Sequence, residues 1–241
     1  MRRTRRAWFA FVAAACLFAV VFAGLGVWQT QRLSWKLDLI ARVEARIHAP
    51  PAAPPGPAEW PRIDAADYEY RRVALRGRYL DAPETLTMAV TEHGPGFWVL
   101  APFRSAAGFT VLVNRGFVPE DRRAPGERRA VAGEEARVVG LLRLSEPGGG
   151  FLRANDPAAG RWYSRDVAAI AETRGLADVA PYFIDADTAS EPGPLPQGGM
   201  TQVRFRNTHL VYALTWFCLA LMSAGAAVYL VRGRTEEPPG T

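Results

Sequence analysis

Cysteine is almost missing from this chain. Cys16 and Cys218 are the only two, each inside an apolar run, so the middle of the chain has no disulfide framework. They read as small apolar fillers, although two spanning helices would set both thiols at similar depths, which permits a metal or redox pair. Histidine is scarce too: His48, His93 and His209 are the only imidazoles, and no C-x-x-C, H-E-x-x-H, P-loop or G-x-S-x-G pattern occurs. A membrane-anchored hydrolase therefore lacks its catalytic constellation. His48 borders a proline run and His93 a Gly-Pro-Gly stretch, so both read as exposed loop residues. Gly24-Leu25-Gly26 belongs to a helical pattern and not to a phosphate loop. The basic balance is also missing where nucleic-acid binding would need it. The formal charge is +5, but Arg2, Arg3, Arg5 and Arg6 precede the first apolar run and Arg232 and Arg234 follow the last, leaving the rest almost neutral.

What is present is a pair of long uncharged segments. Ala7 to Val27 carries no formal charge and as a helix covers about 31 Å; Leu210 to Val231 covers roughly 33 Å. Both are long enough to span a bilayer. The first has a rival reading as a cleaved signal peptide, since Val21-Phe22-Ala23 places small residues at a plausible cleavage point. Its length, and a helix continuing through Trp28, Gln29, Arg32 and Trp35, favour an uncleaved anchor. Four arginines before the first span, against Arg32 and Lys36 after it, predict a cytoplasmic N-terminus, and two spans return the C-terminus to that side. The second span alone is ambiguous, because Arg204 and Arg206 balance Arg232 and Arg234.

Past the first span, Leu33, Leu37, Ile40, Val43 and Ile47 recur at helical spacing against Lys36, Asp38, Arg42, Glu44 and Arg46, which predicts an amphipathic extension docking on the domain or the bilayer surface. Prolines between His48 and Pro61 end that helix and predict a linker or surface loop. The period then becomes two: Val73, Leu75, Gly77 and Tyr79 alternate with Arg72, Ala74, Arg76 and Arg78. Further runs at 84–90, 97–103, 109–118 and 138–144 are separated by Gly94-Pro95-Gly96, Ala106-Ala107-Gly108 and the polar 119–135 segment. One helix is expected over Val167 to Thr173, capped by Ser164, and a last strand over Pro181 to Asp185.

The fold class expected is thus an α+β membrane protein: a two-helix transmembrane hairpin with a mostly antiparallel, β-rich extracytoplasmic domain, which can curve into a partial barrel. Its parts are a cytoplasmic basic tail (1–6), the first span (7–27), the amphipathic extension (28–48), the β-rich region with its linkers (49–209), the second span (210–231) and a cytoplasmic tail (232–241).

His209, Tyr212 and Trp216 recur at i, i+3 and i+7, so imidazole, phenol and indole share one helix face near the interface. An ionisable ring there is costly without a partner or a use, and a neutral imidazole is a preferred axial ligand for haem iron. An interfacial histidine in an aromatic belt is the plainer reading, and position alone favours it.

Four blocks bear on that choice: LGVWQTQRLSWK at Leu25 to Lys36, VNRGFVP at Val113 to Pro119, NDPAAGRWYSRD at Asn155 to Asp166, and RNTHLVYALTWF at Arg206 to Phe217. In order and in placement against two spans, they resemble the surfeit-locus family of cytochrome c oxidase assembly proteins. The resemblance covers nearly the whole chain. Thr208 stands where the family more often has a second asparagine, and Phe117 where tryptophan is common; neither touches the proposed ligand.

The resemblance implies a non-enzymatic assembly factor that binds haem a transiently and aids its insertion into, or stabilisation in, oxidase subunit I. It implies His209 as the haem ligand. With the helices antiparallel, Trp28, Gln29 and Arg32 would lie level with His209; Trp28, Tyr212 or Trp216 would supply aromatic surface, and Arg32, Arg206 or Arg115 would pair with propionates. A strand-edge salt bridge is the competing reading of Arg115. Implied partners are subunit I, haem A synthase and membrane lipid, with no nucleic acid. The missing transit peptide points to a bacterial cytoplasmic membrane. A weaker version keeps the assembly role through protein contacts alone. A sensor would need an output domain after Val231, and a polysaccharide chain-length regulator would need a helical middle.

Overall fold

The uncharged run after the N-terminal arginines and the amphipathic pattern beyond it contain no helix breaker before the proline stretch, and a computed structural model shows one continuous helix, α1 (Arg2–His48). The structure describes residues 2–150, 152–201 and 207–235, with side chains from 5 to 232 within that range. The chain divides into two compact units: Met1–Arg42 with Arg204–Thr241, and Val43–Val203.

The first unit is a helix pair, α1 with the C-terminal helix His209–Thr235, and both are long and apolar enough to cross a membrane by length and composition. They run antiparallel. At one end Trp8 Nε1 donates to the Leu230 carbonyl at 3.1 Å; further along, Phe22 stacks on Trp216 with ring centroids 5.6 Å apart. Gly26 then admits the Phe217 ring, which a Cβ would meet at 2.6 Å. Small residues let apolar helices approach where lipid offers no hydrophobic drive, and Ala213, only 2% exposed, serves the same contact.

In the second unit the strand periodicity resolves into six strands: β1 (Arg72–Tyr79), β2 (Thr85–Thr91), β3 (Gly94–Ser105), β4 (Thr110–Pro119), β5 (Glu135–Leu144) and β6 (Val179–Ala186). A short helix α2 (Ala65–Tyr68) precedes them, α3 (Val167–Thr173) lies between β5 and β6, and the C-terminal helix is α4. The order is β1-β5-β6-β4-β3-β2, and β1 also pairs with β3, so five strands close on themselves while β2 extends from β3. All pairings are antiparallel except β4 with β6. The partial barrel expected from alternation is therefore a closed, barrel-like sheet. Closure happens at Gly77, opposite Ser105, where a Cβ would sit 2.0 Å from the Arg104 carbonyl.

Val73, Leu75, Tyr79, Phe103, Val111, Val113, Leu142 and Ile184 fill the interior, each large side chain contributing about 1.5–3 kcal/mol by leaving water. A second apolar layer, Leu100, Leu112, Trp162, Ile170 and Phe183, packs under α3. That cover explains why β4 reads as a near-continuous run rather than an alternation: it is buried on both faces.

Three local expectations change. Gly94-Pro95-Gly96 does not separate strands; it begins β3, and the two-residue turn of the β2–β3 hairpin is Glu92-His93, with Gly94 at φ 91° opposite Thr91. Asp166, not Ser164, caps α3, accepting from the Ala169 N–H at 3.2 Å, while Ser164 Oγ binds the Gly149 N–H and Asn155. The proline stretch is pinned to the sheet: the Pro55 carbonyl accepts from Tyr182 Oη and Trp60 Nε1, and Ala52 bridges to Val73. The end of the amphipathic extension joins this unit, with Val43 buried and Arg46 donating to the Ala66 and Glu69 carbonyls.

Candidate functional site

Two assemblies of polar side chains occupy otherwise apolar surroundings, one in each unit. The first joins the LGVWQTQRLSWK and RNTHLVYALTWF blocks. His209 begins α4, with its backbone N–H on Asn207 Oδ1 at 3.4 Å, and its Nδ1 lies 2.8 Å from Gln29 Oε1 on α1. Gln29 is only 9% exposed. With Gln29 Oε1 as the acceptor, a neutral imidazole carries its proton on Nδ1 and its lone pair on Nε2. No other described residue partners Nε2. Orienting one imidazole nitrogen through the other is how proteins prepare histidine for a metal, since the donated N–H fixes the tautomer and raises the basicity of the opposite nitrogen.

The remaining sequence candidates are placed as follows. Trp216 stacks on Phe22 on the interhelical side. Trp28 and Tyr212 are half exposed, on the outer surfaces of their helices. Arg32 is exposed and lies over the Trp35 ring, 5.0 Å from its centroid. Arg206 lies outside the described residues. Gln29, grouped with Trp28 and Arg32 at the sequence level but given no binding role, is the residue that meets His209. Its signal was its spacing one position from Trp28 in the same block. Cys16 and Cys218 are free and exposed on their helices.

Arg115 belongs to the second unit and is fully buried on β4, which corrects the propionate role; the competing salt-bridge reading holds, though in the interior of the sheet unit and not at a strand edge. Its Nε and Nη2 donate to the two oxygens of Glu191 at 3.1 and 3.0 Å, and Nη1 donates to Glu84 at 2.6 Å. Burial alone would lower its pKa; the hydrogen bonds and charge of Glu191, then of Glu84, outweigh it and raise the value. Tyr79 Oη donates to the same Glu191 at 3.1 Å, and burial, with the carboxylate's charge added, pushes the phenol well above its ordinary range. The VNRGFVP block thus builds an interior ion pair between Arg115 and the carboxylates of Glu191 and Glu84.

The NDPAAGRWYSRD block is structural in the same sense. Asn155 Oδ1 accepts from the Tyr163 and Ser164 N–H groups, Arg161 pairs with Asp156 at 2.5 Å, and Arg165 reaches Glu146 and Asp185. Among the described residues no three His, Cys, Asp or Glu side chains converge as metal ligands. A single prepared imidazole fits a metal that brings its own equatorial ligands.

Residues 16–221 match the SURF1 family, a range containing all four blocks. Surfeit locus protein 1 of Mus musculus is 40% identical over 230 residues, covering 88% of this chain and 71% of that protein. The human protein of the same name is 37% identical over 222 residues, covering 85% and 72%. A SURF1-like protein of Monosiga brevicollis is 38% identical over 229 residues, covering 88% and 84%. Matched across both apolar helices and the sheet between them, this chain belongs to the SURF1 family.

Proposed function

We propose that this chain is a non-enzymatic assembly factor for haem-copper cytochrome c oxidase, binding haem a and aiding its insertion into, or stabilisation in, subunit I. Members of the family are known as cytochrome c oxidase assembly factors, which supports the assembly role. The observation that carries haem binding is the His209–Gln29 contact, which orients the ring at the start of an apolar helix while no other described residue partners Nε2. His209 would hold the iron, Gln29 would orient His209, Trp28, Trp216 and Tyr212 would offer aromatic surface to the macrocycle, and Arg32 or Arg206 would receive its propionates. Arg115 has no part in this set. The bound group would supply only its own redox-active iron; the chain's contribution is to bind, orient and release it.

In this reading the two apolar helices anchor the chain in a bacterial cytoplasmic membrane with both ends cytoplasmic and the sheet unit outside. Subunit I receives the haem, haem A synthase delivers it, and lipid surrounds the helices. The test is the absorption spectrum of the chain purified from cells making haem a. His209→Ala removes the haem spectrum, and Gln29→Leu lowers haem affinity roughly 10-fold or more through loss of ligand orientation. Unchanged haem content in His209→Ala overturns the ligand assignment, leaving assembly through protein contacts.

A further inference from the structure

Where β1 carries two strands at once, it places like charges in direct register. Arg76 on β1 stands opposite Arg137 on β5, and Arg78 stands opposite both Glu135 on β5 and Arg104 on β3. Positions 76 and 78 share the outer face of β1, because Val73, Leu75 and Tyr79 fill the inner one. All four arginines line one open cavity of about 700 Å³ with Glu135 and Leu80.

The two rows differ in their counter-charges. In the first, Arg78 holds Glu135 at 2.9 Å and Arg104 holds Asp178 at 3.5 Å. In the second, Arg76 and Arg137 face each other, both exposed, and neither side chain makes a hydrogen bond, ion pair or ring contact with any described residue. Like charges directly opposite across two strands destabilise a sheet, and Glu135, which lines the same cavity, is already engaged by Arg78. The arrangement lacks an anion of the right shape. A carboxylate satisfies one guanidinium fork, whereas the oxygens of a phosphate group can accept from two forks at once.

We propose that this wall of the sheet unit binds a phosphate group through Arg76 and Arg137, with Arg78 and Arg104 adding positive field. The phosphate is that of an anionic phospholipid headgroup or of a free phosphate ion; the recognition chemistry is the same. The site is separate from the His209 pair and stands whether or not haem binds there.

The test is thermal unfolding of the full chain in neutral detergent, titrated with sodium phosphate against sodium chloride of equal ionic strength, and separately with dioctanoyl phosphatidylglycerol and dioctanoyl phosphatidylcholine. At tenfold excess over Kd, binding raises the midpoint by roughly 3 to 6 °C. Arg76→Gln with Arg137→Gln abolishes that rise and lifts the midpoint without phosphate, because the opposed charges are gone. Arg62→Gln, outside the cavity, keeps the wild-type response. A response to phosphate alone assigns the free ion, and a response to phosphatidylglycerol but to neither phosphate nor phosphatidylcholine assigns the anionic headgroup. No response, or one the double variant retains, overturns the site.

Discussion

The helix pair and the sheet unit solve the problem of polar groups away from water in opposite ways. In the sheet unit, each of the three nitrogens of the buried Arg115 guanidinium donates to a carboxylate oxygen of Glu191 or Glu84, and Tyr79 Oη also donates to Glu191. In the helix pair, Gln29 partners one ring nitrogen of His209, and no described residue partners the other. A well-paired interior network rigidifies a fold. A ring nitrogen held in orientation with no described partner is where the proposed ligand would act.

The comparison breaks most sharply at Glu191. Glu191→Ala leaves Arg115 buried with Glu84 alone and should lower the unfolding free energy by roughly 3–5 kcal/mol, measured by denaturant titration of sheet signal. Gly77→Ala ranks next, since its Cβ would enter the Arg104 carbonyl, and a loss of roughly 3 kcal/mol is expected with barrel closure disturbed. In the helix pair the effects are smaller. Gly26→Ala should displace the Phe217 ring at about 1–2 kcal/mol, read as weaker association of the two helices expressed as separate segments. Gln29→Leu should change stability by only about 0.6 kcal/mol while still lowering haem affinity, a split that a purely structural contact would not produce.

The smallest effect is one of pH. Burial alone would raise the Glu146 carboxyl, but the Arg165 hydrogen bonds and the charges of Arg165 and Arg143 hold it below its ordinary value of 4.5. A depressed carboxyl contributes stability above its unfolded pKa and loses it as pH falls through the folded one. The sheet unit should therefore weaken as the solution is acidified below about pH 4.5, and Glu146→Gln should flatten that part of the profile. A variant with the wild-type acid profile would show that the Arg165 pairing does not reach the folding equilibrium.

Much of the architecture was legible because it rests on local periodicity. Uncharged length marked both apolar helices, alternation marked β1, and Val167 to Thr173 formed the helix expected of it. The cap of that helix was misplaced by two residues because Ser164 and Asp166 both suit the role, and only the loop around Asn155 decides which side chain is free to take it. The Glu92-His93 turn was hidden by the glycines beside it. The sequence left Arg115 open between a propionate and a salt bridge for a different reason: its partners Glu84 and Glu191 lie 31 and 76 residues away, a separation no spacing argument spans.

By itself the sequence determined which segments are apolar enough to leave water, which alternate as strands, and that His209 is an unusual residue to find at the start of an apolar helix. Those properties follow from composition and periods of 3.6 and 2, which each segment carries alone. Only the tertiary structure decided that Gln29 meets His209, that Arg115 pairs with two carboxylates, and that Arg76 stands opposite Arg137. Each of these depends on which distant residues the helix pairing and strand register bring within hydrogen-bonding distance, and burial then makes the presence or absence of a partner matter.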